Sequence, residues 1–241
     1  MSTVAASDGA VFERHEKKYR LSESLYAQFM SRLLERARVD RYGKQTIGAL
    51  YFDTDDWLLA RRSASQPKYK EKLRLRWYGA PTADSTVYFE MKKKFDGISY
   101  KRRIPAKIAD VPNFLDDAKA SGRSGQILDE LRWTTRYYRL APRILLFYER
   151  TAFWGTDERY LRVTFDENIR FRESRLEIAP DMDADGTPLL DPGERIMEIK
   201  VPETLPLWLS RTLTELKIFP VHFSKYDAAC RLINKEKTSH A

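Results

Sequence analysis

Lys72-Leu-Arg-Leu-Arg-Trp-Tyr78 carries a cation or phenol at every second position. At the period of a β-strand, Lys72, Arg74, Arg76 and Tyr78 lie on one side and Leu73, Leu75 and Trp77 on the other. Cations two strand rises apart stand about 7 Å from each other, close to the spacing of phosphates along an anionic chain. The layout returns in other segments, whose polar sides hold Arg14, Lys18, Lys92, Lys94, Lys101, Arg103, Arg150, Arg162 and Lys200. Few acids accompany them: Glu16, Glu90, Asp166 and Glu198. Like charges opposite one another on neighbouring strands repel, so a polyanion is the natural counterpart of such a face. Glu198, in Glu198-Ile-Lys200, and Asp166 are candidates to hold Mg²⁺ or Mn²⁺, which take carboxylate and phosphate oxygens. Glu16 and Glu90 suit charge balancing as well as catalysis. Phosphoryl transfer needs little else, because cations and metal absorb charge while attacking and leaving oxygens are held in line.

The positioning elements follow from periodicity. Strands are expected at Phe12–Leu21, Ile47–Asp53, Lys72–Tyr78, Val87–Lys94, Ile98–Ile104, Ile144–Thr151, Tyr160–Asn168 and Arg195–Val201. The Phe95-Asp-Gly turn makes the fourth and fifth a hairpin. Ser22 caps a helix carrying Leu25, Phe29 and Leu33, and Thr54 or Asp55 caps a short one near Trp57. Further helices are expected over 111–120 and 126–138, after Pro206, and after Ser224, whose pairing with Asp227 resembles a capping box. The Asp/Pro-rich segment 179–193 reads as a loop. Asp53-Thr-Asp-Asp56 could ligate a metal, but turn and cap chemistry explains it better.

The bulk properties agree. The 241 residues are 42% hydrophobic and 12% aromatic, which fits a globular chain with a sizeable core. Lys plus Arg number 43 against 35 Asp plus Glu, a net charge of +8, which favours an anionic partner. The single Cys230 excludes an internal disulfide and a multi-cysteine metal site. No apolar run spans a bilayer and no signal peptide is visible, so a cytoplasmic location is expected. Residues 1–10 read as a mobile leader and 11–237 as one domain.

Strands without βα alternation give an α+β fold with a mostly antiparallel sheet. Closing it into an eight-stranded antiparallel β tunnel would turn the charged faces into a lumen and leave the apolar faces to amphipathic helices outside. Such a bore would grip a linear phosphate chain and exclude a nucleic-acid duplex. No Gly-rich phosphate loop is present, and His15, His222 and His240 lack metal-ligand spacing.

Several segments carry a family resemblance: Arg14-His-Glu-Lys-Lys18-Tyr19, Leu50-Tyr-Phe-Asp-Thr54, Leu73-Arg-Leu-Arg-Trp-Tyr-Gly79, Phe89-Glu-Met-Lys92, Tyr148-Glu-Arg-Thr-Ala-Phe153, Met197-Glu-Ile-Lys200 and Phe223-Ser-Lys225. Together, over roughly Val11 to Lys235, they resemble the VTC domain. This is the catalytic domain of the vacuolar transporter chaperone polyphosphate polymerase, in the triphosphate tunnel metalloenzyme (CYTH-like) superfamily. The resemblance implies Mn²⁺-dependent transfer of the ATP γ-phosphate onto inorganic polyphosphate. By position it implies phosphate contacts from Lys18, Arg74, Arg76, Lys92, Lys101, Arg150, Lys200 and Lys225, with Tyr148 and Ser224 lining the site and Glu198 on the metal. Arg162 joins the phosphate set from its place among the strand cations. Glu198, Lys200 and Lys225 are thereby the expected catalytic group. Ser224 and Lys225 open the last helix, where free backbone N–H groups also favour phosphate.

Two positions depart from the pattern. Arg14-His-Glu16-Lys-Lys18 stands where the wider superfamily has Glu-x-Glu-x-Lys, which removes a carboxylate used by hydrolytic members. His222 precedes Phe223 where the polymerase carries Lys. Three functions remain in play: polymerase, triphosphatase or polyphosphatase of the same fold, and non-enzymatic polyphosphate binder.

Overall fold

The computed structural model describes residues 15–65, 68–96, 98–111, 125–179 and 185–239. Nine strands form a sheet: β1 (His15–Leu21), β2 (Ala37–Asp53), β3 (Tyr69–Tyr78), β4 (Thr86–Phe95), β5 (Ile98–Lys107), β6 (Ala141–Gly155), β7 (Arg162–Arg172), β8 (Thr187–Pro188) and β9 (Arg195–Val201). Its order is β1-β9-β7-β6-β2-β3-β4-β5, with β8 paired to β7. The helices are α1 (Glu23–Arg36), α2 (Leu58–Ala64), α3 (Gln126–Tyr138), α4 (Leu207–Glu215) and α5 (Lys225–Ser239), with a short 3₁₀ turn at Ile108–Asp110. The fold is α+β, as expected. The order ends at β1 and β5, and among the described residues no hydrogen bonds join these ends into a closed barrel.

The described residues group into two compact units. The first draws on the chain up to Gly43, on Thr151–Phe165 and on Gly193–His222. The second comprises Lys44–Arg150, Asp166–Pro192 and the chain from Phe223 onward. Strands β2, β6 and β7 contribute residues to both.

Each unit has its own core. In the first, Tyr19 and Leu21 of β1 and Met197, Ile199 and Val201 of β9 meet Phe29 and Leu33 of α1 and Leu209 and Leu213 of α4. In the second, Leu73, Leu75 and Trp77 of β3 pack with Val87, Phe89 and Met91 of β4 and with Leu128 and Leu131 of α3. The apolar parity read from sequence therefore places one face of each strand in a core and leaves its alternate residues on the other face. Gly48 shows how tightly the second core closes. It pairs with Trp77 across β2 and β3, and a Cβ there would lie 2.1 Å from the indole ring. Only glycine leaves that space without moving the ring.

Local signals account for most element ends. Ser22 Oγ accepts from Leu25 N at 3.3 Å at the start of α1. The N-cap of α2 is a left-handed Trp57, and Thr54 Oγ1, three residues earlier, accepts from Leu58 N at 2.8 Å. Pro206 occupies the N-cap of α4 rather than its first turn. The β4–β5 hairpin closes in the register Phe95↔Ile98. The 179–193 loop contains the two-residue β8, a departure from expectation that two ladder pairs to Arg170 and Phe171 explain. Residues 112–120 of the expected helix, the leader at 1–10 and residues 12–14 of the expected first strand, Arg14 among them, lie outside the described residues.

Candidate phosphate-binding site

The polar face of the second unit is set by three strands in register. Arg74, Glu90 and Arg103 form one row across β3, β4 and β5, and Lys72, Lys92 and Lys101 form the next. The first row alternates charge. The second places three lysines side by side, the juxtaposition that a sheet avoids without counter-charge.

Carboxylates supply part of that counter-charge. Glu90, 2% exposed, accepts from Arg74 Nε at 2.8 Å and Nη2 at 2.6 Å, and pairs with Lys101 Nζ at 2.6 Å. Burial raises its pKa, but Arg74, Lys101 and Arg76 outweigh that and pull it down to about 2. Asp166 on β7 is fully buried and accepts from Arg150 Nε at 2.5 Å and Nη2 at 2.7 Å, a bidentate pair, and from Lys225 Nζ. Burial opposes its ionisation, and those two cations outweigh burial and hold its carboxyl well below the ordinary range. Lys72 pairs with Asp227 at 2.6 Å and donates to Ser224 Oγ at 3.2 Å. Asp227 is thus drawn away from the expected capping box. Its backbone N–H still reaches Ser224 Oγ at 3.4 Å, while its carboxylate serves Lys72 and Ser63.

Arg76 differs from these cations. It is 8% exposed, yet its nearest polar contacts are long: Tyr148 Oη at 3.4 Å and Glu90 at 4.0 Å. Its Nε is buried without a hydrogen-bond partner among the described residues. A guanidinium so desolvated and so loosely matched is expected to bind an anion. Tyr148 lies beneath two further cations, with Lys225 Nζ 4.4 Å and Arg150 5.4 Å from its ring centroid.

The first unit presents a smaller, mixed face. Strands β1 and β9 pair Glu16 with Lys200 and Lys18 with Glu198. Lys200 lies 2.6 Å from Glu198 and 3.7 Å from Glu16, and Lys18 lies 3.3 Å from Glu16. Arg162 on β7 covers the Trp154 ring at 4.9 Å. Its Nε and the hydroxyl of neighbouring Thr164 are buried with no hydrogen-bond partner among the described residues.

The expected site residues fall into these two sets. The second unit gathers Arg74, Arg76, Lys92, Lys101, Tyr148, Arg150, Asp166, Ser224 and Lys225, and the first holds Lys18, Arg162, Glu198 and Lys200. Both oxygens of Asp166 are engaged by cations, so a metal at Asp166 would share that carboxylate with Arg150 and Lys225. Among the described residues no three acidic, His or Cys side chains gather to hold a metal. Glu16 and Glu198 fit a hard cation that takes its other ligands from phosphate and water. The sequence reading passed over Tyr51, whose hydroxyl accepts from Arg74 Nη1 at 3.0 Å. Its parity within Leu50-Tyr-Phe-Asp53, opposite to that of the core residue Phe52, was the available signal.

The chain matches the family model described as VTC domain over residues 13–234. It therefore belongs to the VTC-domain family. A solved structure from Bacillus halodurans, described as a candidate adenylate cyclase, is similar with a TM-score of 0.52 at 16% identity, covering 88% of this chain and 95% of that one. At that identity the likeness speaks to the fold. A candidate adenylate cyclase from Vibrio parahaemolyticus aligns with a TM-score of 0.48 at 12% identity, over 90% of this chain and 97% of that one. A Hippeastrum protein described as a candidate adenylyl cyclase with a dominant triphosphatase activity aligns at 0.47 and 17%, over 88% and 92%. No curated protein matches. No helix among the described residues is long and apolar enough to cross a membrane.

Proposed function

We propose that this chain is a polyphosphate polymerase that moves the γ-phosphoryl group of ATP onto the end of an inorganic polyphosphate chain. The carrying observation is Arg76: a buried guanidinium with long contacts and an orphaned Nε, two rows along the same strands from the in-register lysines Lys72, Lys92 and Lys101. Family membership supports the same reading. It includes closure of the strands around a bore, which the resemblance implies and the hydrogen-bonded order by itself does not carry.

In this reading a terminal phosphate oxygen attacks the γ-phosphorus, the bond to the β–γ bridging oxygen breaks, and ADP leaves. Arg74, Arg76, Lys92, Lys101, Arg150 and Lys225 absorb charge on phosphate oxygens, as do Lys18, Arg162 and Lys200 on the first unit's face. Tyr148 and Ser224 supply hydroxyl contacts. Asp166 orients Arg150 and Lys225 through its hydrogen bonds to both. Glu198, with Glu16 beside Lys200, would hold Mn²⁺ or Mg²⁺, which when bound neutralises phosphate charge.

The test incubates the purified chain with ATP and either metal, then resolves products by gel and phosphorus NMR. Long phosphate polymers are expected, with the loss of Arg74 and Arg76 or of Glu198 suppressing them. Orthophosphate or pyrophosphate as the sole product would assign a hydrolase of this fold instead. Tight polyphosphate binding without turnover, steeply weakened by salt, would assign a binding protein.

A further inference from the structure

The first turn of α5 sends three consecutive side chains to three different elements, and the middle one has no role in the reading above. Lys225 reaches Asp166 on β7, and Asp227 reaches Lys72 on β3 at 2.6 Å. Tyr226 between them is 2% exposed, and its hydroxyl donates to Asp53 Oδ2 at 2.5 Å. Asp53 is itself fixed. Its Oδ1 accepts from Thr54 N and Leu59 N, both at 2.8 Å, and its Oδ2 also accepts from Ala60 N at 2.9 Å. The carboxylate thus fastens α5 to the start of α2.

The Tyr226 ring then stacks on Tyr51, with centroids 4.6 Å apart and planes at 14°. Tyr51 accepts a hydrogen bond from Arg74 at 3.0 Å, and the Arg74 guanidinium lies 5.8 Å from its centroid. Lys72 Nζ lies 5.4 Å from the Tyr226 ring. A continuous chain of contacts therefore runs from the backbone of α2 through Asp53, Tyr226 and Tyr51 to two site cations. The electrostatics of the two phenols differ along it. Burial, then Cys230 and Asp53, push Tyr226 far above the ordinary phenol range. For Tyr51 burial acts upward too, but Arg74, Lys72 and Lys225 outweigh it and the net shift is downward. Tyr226 stays a neutral donor to Asp53, and Tyr51 answers to the site's cations.

We propose that Tyr226, anchored by Asp53 and stacked on Tyr51, is a positioning residue that holds Arg74 and Lys72 in the geometry used for phosphoryl transfer. The proposal rests on the functional reading above, because it concerns how that site is aligned. Ground-state phosphate affinity is shared among many cations, whereas alignment matters most as the phosphoryl group moves. Loosening the anchor is therefore expected to lower kcat more than it weakens binding.

The experiment compares the full chain with Tyr226→Phe, which keeps the ring and drops the hydroxyl, and Tyr226→Leu, which removes the stack. Calorimetry measures tripolyphosphate affinity, ATP turnover gives kcat and KM, and the Arg74 Nε–H resonance in ¹⁵N-labelled protein is assigned by Arg74→Lys. Tyr226→Phe should lower kcat about tenfold with tripolyphosphate affinity within about threefold, and broaden the Arg74 signal. Tyr226→Leu should lower kcat further. An unchanged Arg74 resonance and unchanged kcat in folded Tyr226→Phe would overturn the proposal. If Tyr226→Leu fails to fold, Tyr226→Phe decides alone. Absence of tripolyphosphate binding or of ATP turnover in the unmodified chain would overturn the functional reading instead, and the Arg74 resonance would still report on the anchor.

Discussion

The two polar faces use similar residue types under different burial. On the first unit's face, Glu16, Lys18 and Lys200 have side chains 32%, 27% and 33% exposed, and ion pairs run along β1 (Lys18–Glu16), along β9 (Lys200 with the buried Glu198) and directly across the two strands (Lys200–Glu16). On the second, Glu90 and Asp166 are buried and Arg76 is nearly so. Water can replace Glu16 as the partner of Lys18 and Lys200 at little cost, so those two pairs stabilise the fold weakly and can exchange for a ligand. In the second set, a cation stripped of its partner stays desolvated and unmatched. In the proposed function the first face would exchange ligands and the second would hold phosphate in fixed geometry.

The sharpest break in this contrast is Arg76→Met. Removing a loosely matched buried cation should leave thermal stability nearly unchanged while lowering phosphoryl transfer about a hundredfold, read by melting and by initial rate. A large fall in melting temperature would mean that Arg76 is structural.

Asp166→Asn should act in the opposite sense. It leaves Arg150 and Lys225 buried without their counter-charge, at a cost of about 3–5 kcal/mol measured by urea unfolding.

Acid should expose the same asymmetry. The folded pKa of Glu90 is depressed from 4.5 to about 2, so its contribution is fully present above 4.5 and is lost as pH falls from there towards 2. That contribution is on the order of 3 kcal/mol, and Asp166 titrates in the same sense. Unfolding midpoints between pH 6 and 2 should fall steeply, and more shallowly in Glu90→Gln. A flat profile would show that the second face does not depend on its buried carboxylates.

The smallest effect is expected at Glu16→Gln. Its partners are part-exposed lysines, so stability should change by no more than about 1 kcal/mol. The Mn²⁺ concentration for half-maximal activity should rise, as it should more strongly for Glu198→Gln. A metal titration in which neither variant moves would remove both from the metal role.

Much of this was legible in the chain because strand parity is local. The alternation in Lys72–Tyr78 placed Leu73, Leu75 and Trp77 in a core and Arg74 and Arg76 opposite, and the Phe95-Asp-Gly turn set the β4–β5 register. Less legible was any feature that depends on which element lands beside which. The sequence could propose Asp166 as a metal ligand, but only packing shows Arg150 and Lys225 on its two oxygens. Asp227 reads as half of a capping box, but a lysine more than one hundred positions away outcompetes a backbone N–H for its carboxylate.

The sequence by itself determined eight of the nine strands, their charged and apolar sides and the helix start at Ser22, because these follow from side-chain period and local hydrogen bonding. Tertiary structure alone decided which cations are matched and which are not. Arg74 and Arg76 are two residues apart on one strand and look equivalent in the chain. Burial beside Glu90 and Tyr51 satisfies the first and leaves the second with long contacts and an orphaned nitrogen.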